Sequence, residues 1–296
     1  MKNFDRNEFQ KLAKPVLKTD FYDEDSWECE EFHNYATETE EEDVYNGSEL
    51  DYEDVMVALE DMIFRDETKQ FPPALIKLLE YAYGVAIENK DGSRIHNYGT
   101  FFYDGRIGEQ DFKKAAELYE IGASLGCPNS LCALGYIYYY GRTGEVNYEK
   151  AYMYFSKSAF RDNDATSLYK VGDMYKNGYY VQQDLVTAYK IYERSYEIFK
   201  SEEDEYDYDP SKAADAAFRV GECLLNGIGC DQDVMKALEY LQLAERGFVE
   251  RVSKGEYFLR KMLKATVEKE NEARQKLSEK LPDEDWAKGL TGYTSL

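Results

Sequence analysis

The chain has 296 residues, a length for one or two domains or for one elongated repeat array. It carries 36 Lys and Arg against 59 Asp and Glu, a net charge of -23, which excludes direct binding of nucleic acid through a basic face because phosphates would be repelled. With only two histidines, His33 and His96, a three-His metal site is impossible, and no cofactor is expected.

The N-terminus, MKNFDRNEFQ, is charged throughout, so no signal peptide is expected. No apolar run approaches the ~18 residues of a membrane helix, so no membrane partner is expected either. From Asp20 to Phe64 there are 18 acids and no Lys or Arg, so most of the net charge is local. Residues 1–47 form an acidic segment whose order is left open. Its acids oppose collapse, while Phe21, Tyr22, Trp27, Phe32 and Tyr35 give it something to bury.

Residues 48–93 read as a helical N-terminal cap. Ser48 and Asp51 suggest a capping box before an amphipathic helix at 49–66 carrying Val55, Leu59, Met62 and Ile63. Pro73 suits the first turn of a second helix running to about Asn89 through Leu75, Leu78, Leu79 and Ala82.

Residues 94–250 repeat themselves. Tyr98-Gly99, Leu134-Gly135, Val171-Gly172 and Val220-Gly221 each open a unit. Six residues after each of these glycines stands another, at Gly105, Gly141, Gly178 and Gly227. Then come Asp111, Asn147, Asp184 and Asp233, followed by Ala115, Ala151, Ala188 and Ala237, and then the small residues Gly122, Ser158, Ser195 and Ala244. The steps between opening glycines are 36, 37 and 49 residues. The pattern predicts a helical hairpin. The second Gly ends one helix in the left-handed conformation, and the Asp or Asn caps the next. The opening Gly and the Ala let the two helices approach closely.

This pattern, with Leu134-Gly135-Tyr136, Tyr138, Gly141, Asn147 and Ala151, and again Val171-Gly172, Tyr175, Gly178, Asp184 and Ala188, resembles the Sel-like repeat family, relatives of the tetratricopeptide repeat. The first unit departs from it at Tyr98 and the fourth at Leu224. The resemblance implies an all-α, right-handed α-solenoid of helical hairpins and a role in protein–protein scaffolding. Hydrolysis credited to some members rests on closely paired cysteines that this chain lacks, so no enzyme is expected.

The long third step has an address at 201–210, an acidic insert read as a solvated loop or helix extension. Residues 251–281 read as a partial repeat and a capping helix, and 282–296, after Pro282, as a tail. Cys29, Cys127, Cys132, Cys223 and Cys230 make an odd set without a CxxC pair, which predicts free structural thiols in a reducing cytoplasm.

In such arrays the first helix of each hairpin faces a concave groove. One helical stripe there carries the candidate partner-binding residues His96, Tyr103, Asp104, Tyr136, Tyr139, Tyr140, Tyr169, Asp173, Asn177, Phe218 and Glu222. Tyr supplies rigid contact area with a polar tip, and the acids favour a basic protein or peptide. An alternative places function in Glu40, Glu41, Glu42 and Asp43, whose charge would mimic phosphates in an inhibitor or immunity protein blocking a basic toxin or nucleic-acid site. No catalytic residue is expected, because no activated nucleophile is visible.

Overall fold

The computed structural model describes residues 4–37, 52–64, 70–201 and 210–280, and among them every regular element is helical. The chain divides into two compact units, residues 1–147 and 148–296.

The first unit opens with α1 (Arg6–Ala13), a short 3-10 turn (Val16–Lys18) and α2 (Trp27–Thr37). Three phenylalanines of the acidic segment, Phe9, Phe21 and Phe32, are core residues, joined by the buried Cys29, while Tyr22 and Tyr35 pack against that core half-buried. They pack against α3 (Tyr52–Phe64) and α4 (Pro73–Asn89), the latter beginning at Pro73 as its sequence predicts. Rings knit this core, with Phe71 edge-on to Phe101 at 5.0 Å and Tyr83 edge-on to the same ring at 5.7 Å. A fully buried Phe or Leu here contributes about 1.5–3 kcal/mol of transfer free energy. The capping box at Ser48 and Asp51 lies outside the described residues, as do the insert at 202–209 and the tail at 281–296.

The repeats follow as α5 (Gly92–Asp104) with α6 (Phe112–Ser124), α7 (Pro128–Tyr139), α8 (Tyr148–Arg161), α9 (Ala165–Asn177) with α10 (Leu185–Ser201), and α11 (Pro210–Asn226) with α12 (Val234–Ser253). The hairpin register is the same in each. The amide after the second glycine returns to a carbonyl five residues back: Arg106 to Phe101, Arg142 to Ile137, Tyr179 to Met174 and Ile228 to Cys223. The amide of the capping Asp or Asn then bonds nine residues back, in Asp111 to Phe102, Asn147 to Tyr138, Asp184 to Tyr175 and Asp233 to Leu224. Gly105 and Gly178 sit at φ +72° and +69°, where a side chain would be strained. Asp111, Asp184 and Asp233 each accept from the first-turn amides of the following helix.

The opening glycines serve close approach. A Cβ at Gly99 would stand 2.8 Å from the Tyr119 ring, and one at Gly172 would stand 2.6 Å from the Tyr192 ring. Part of the long third step is extra helix, because α10 and α11 each run 17 residues where α9 runs 13. After α12 the chain turns at Gly255 (φ +105°), passes a 3-10 turn (Tyr257–Leu259) and enters α13 (Arg260–Lys280), which packs on α12.

Candidate functional site

Within the first unit the stripe positions divide into two kinds. His96 is turned into the packing: its Nδ1 lies 3.2 Å from Ser130 Oγ and its ring stacks on Tyr119 at 4.9 Å. Burial lowers its pKa to about 4, so the imidazole is neutral near pH 7. Ser130 is itself fully buried, so this Ser–His pair is out of reach of any substrate. Tyr119 continues the seam through its hydroxyl, 3.1 Å from Thr100 Oγ1.

The remaining residues build a surface of rings. Tyr103 sets its edge against Phe112 at 5.0 Å, and Asp104 follows it, exposed, at the helix end. Tyr136 stacks with Tyr140 at 6.1 Å, and Tyr139 meets Tyr140 edge-on at 5.0 Å. Arg142 joins the two sets, its guanidinium carbon 5.5 Å from the Phe112 centroid and 5.7 Å from that of Tyr140. Tyr140 remains 50% exposed, and Tyr103, Tyr136 and Tyr139 are half-buried. Sequence reasoning passed over Phe112 and Arg142. Phe112 opens the outer helix, and Arg142 lies in the turn after the second glycine, so neither falls on the inner stripe.

In the second unit the equivalent positions are taken up internally. Asp173 receives Arg219 Nε at 2.7 Å and Nη2 at 2.8 Å, plus the Tyr192 hydroxyl at 2.9 Å. Burial opposes its charge, but Arg219, Lys170 and the Tyr192 hydroxyl outweigh that and hold the carboxyl below the ordinary range. Arg219 lies 4.4 Å over the ring of buried Tyr169 and also reaches Asp215, which Arg251 bonds at 2.8 Å. Asn177 is exposed, its amide donating to the Asp173 carbonyl at 2.8 Å. Glu222 is paired with Lys176 and with Lys269 at 2.9 Å, and Phe218 is buried with the Lys269 ammonium 6.0 Å from its ring centre. The stripe of this unit is therefore a chain of ion pairs linking α9, α11, α12 and α13. The counter-charges Arg219, Lys269 and Arg251 carry no motif, and only the fold brings them to the acids. Glu40, Glu41, Glu42 and Asp43 lie outside the described residues.

Among the described residues no His, Cys, Asp and Glu group has metal-holding geometry, and no helix is long and apolar enough to cross a membrane. The five cysteines are free, with Cys29, Cys127 and Cys223 buried, and burial pushes the Cys223 thiol up to about 12.

The model of the Sel1 repeat matches residues 95–127, 128–159, 165–197 and 214–247. Among solved structures, a Sel1 repeat protein from Oxalobacter formigenes is 18% identical, with a TM-score of 0.49 over 58% of this chain and 65% of its own. A protective antigen present in uropathogenic Escherichia coli strains, displaying an SLR fold, is 15% identical, with a TM-score of 0.42 over 98% of this chain and 64% of its own. The chain thus spans less than two thirds of the length of either structure, at 65% and 64%. No curated protein matches it in sequence.

Proposed function

Because the chain belongs to the Sel1 repeat family, whose all-α hairpin repeats generally mediate protein–protein interactions, we propose that it is a non-enzymatic scaffold for a protein or peptide bearing basic side chains. The binding surface in this reading is the ring cluster of Tyr103, Phe112, Tyr136, Tyr139 and Tyr140, with Asp104 at its edge. The observation that carries it is Arg142, whose guanidinium already rests against two of these rings while Tyr140 stays half exposed. The ring faces that Arg142 leaves open to solvent carry the same negative quadrupole and attract a partner's cation, at about 0.5–1 kcal/mol when exposed and about 2 kcal/mol when desolvated. The buried, neutral His96–Ser130 pair and the protonated Cys223 thiol support the non-enzymatic part.

The test is an arrayed peptide library probed with the full chain and with Tyr136→Ala/Tyr140→Ala. The proposal expects Lys- and Arg-rich peptides to be retained and the variant to lose about tenfold in affinity, about 1.4 kcal/mol. Retention of peptides irrespective of charge would overturn the basic partner, and unchanged binding by the variant would overturn the site.

A further inference from the structure

The turn between α12 and α13 leaves two rings in water. After Gly255 comes the 3-10 turn Tyr257–Leu259, pinned to the core by buried Leu259. Tyr257 is 59% exposed and Phe258 74%. Arg260 lies on the Tyr257 ring, its guanidinium carbon 4.5 Å from the centroid, and exposed Lys261 follows it. Neither base has a carboxylate partner among the described residues. The acid nearest in sequence, Glu256, is taken by Arg251 at 2.7 Å. The turn thus presents two rings and two unpaired bases, on a chain whose acids outnumber its bases by 59 to 36. Exposed apolar surface beside Arg is the composition of an interface centre, and its charge calls for an acidic counterpart.

The same chain carries that counterpart in its other unit. From Asp20 to Phe64 it has 18 acids and no Lys or Arg. The described part of this segment holds an open cavity of about 400 Å³ beside α2, within the range of about 300–1,000 Å³ of ligand sites. Tyr22 and His33 line it, their rings stacked at 6.0 Å and the Tyr hydroxyl 3.0 Å from His33 Nδ1. The exposed carboxylates of Glu24, Asp25 and Glu30 stand around these rings, with no ion pair to any described residue. The two surfaces are complementary in kind, ring against rings and unpaired bases against unpaired acids.

We propose that Tyr257, Phe258, Arg260 and Lys261 form a docking knob for a second copy of this chain, which receives it in the acidic cavity around Tyr22 and His33. Phe258 packs on the cavity's rings, and Arg260 and Lys261 meet Glu24, Asp25 and Glu30. The knob and the cavity are different surfaces, so one intact knob on one copy and one intact cavity on the other make a contact. The net charge of -23 keeps copies apart at long range, but at about 0.15 M salt charges more than about 8 Å apart are screened and the touching groups decide. A contact of so few residues belongs to the weak, concentration-dependent class. It uses none of the residues of the Tyr103–Tyr140 ring surface and is independent of the function proposed for that surface.

The test is sedimentation velocity of the full chain at about 0.15 M salt, from about 1 μM to about 1 mM protein. The average mass should rise with concentration to at least that of two chains. A knob variant, Phe258→Ala/Arg260→Ala, and a cavity variant, Glu24→Gln/Glu30→Gln, should each need at least about tenfold more protein for the same rise. All four positions are exposed, so the fold is not at stake. An equal mixture of the two variants should form two-chain species that neither forms alone, because one brings the cavity and the other the knob. A wild-type chain that stays single at about 1 mM would overturn the proposal. Association undiminished in the knob variant would remove the turn from the contact, and association undiminished in the cavity variant would overturn the acidic cavity as its receiver. Flotation of single wild-type chains with phosphatidylserine and phosphatidylcholine vesicles, lost in the knob variant, would assign the turn to a lipid surface and overturn the second copy.

Discussion

The same repeat positions do opposite work in the two units. In the first unit the stripe carries rings, and Tyr140 presents half its surface to solvent. In the second, Asp173 and Glu222 stand at those positions, and each is held by two bases. Rings that tile a surface leave their faces available, whereas a half-buried carboxylate must be paired where it stands. A shared hairpin therefore leaves the functional content of its inner face undetermined.

The largest effect that would break this comparison is on stability. Asp173→Ala strips Arg219 of its bidentate partner and leaves it the more distant carboxylate of Asp215 at 3.3 Å, and should destabilise the second unit by about 3 kcal/mol. Tyr140→Ala in the first unit should change stability by less than about 1 kcal/mol. Urea unfolding with hydrogen exchange resolved by unit checks both, and similar losses would erase the distinction. Next comes the helix crossing that both units share. Gly172→Ala drives a Cβ into the Tyr192 ring and should destabilise by about 1–3 kcal/mol, as should Gly99→Ala against Tyr119. Thermal melts read this directly, and a neutral outcome in either would show that the rings yield.

A smaller and more specific effect is on pH dependence, which should run in opposite senses. His96 has a folded pKa of about 4, below its ordinary 6.5, so the unfolded chain binds the proton first. Its contribution is present above pH 6.5 and is lost as the pH falls toward 4. Glu270 is raised from 4.5 to about 7, so its contribution is full below 4.5 and is lost as the pH rises through about 7. Exchange protection at residues 92–139 should therefore fall on acidification while that of α13 rises, and His96→Gln and Glu270→Gln should each flatten one profile alone.

The hairpins were legible because their signals are local. A glycine forced to positive φ, an Asp capping its own next turn and a glycine under a ring each leave a mark at fixed spacing. The stripe could be placed from period alone, which is why Tyr103, Tyr136, Tyr139 and Tyr140 fall together on one surface. Period does not show what stands opposite a residue. The partners of Asp173 and Glu222 come from 46 and 47 residues further along, in Arg219 and Lys269, and no spacing rule reaches that far. His96 illustrates the same limit, since its burial depends on Ser130 and Tyr119 from two later helices.

The most direct test of the central claim is the exchange footprint of an arginine-rich peptide bound to the full chain. The account predicts protection concentrated over residues 101–142, around Tyr103, Phe112 and Tyr140, with α9 and α11 unchanged. A footprint confined to α9 and α11, with those rings untouched, would contradict it.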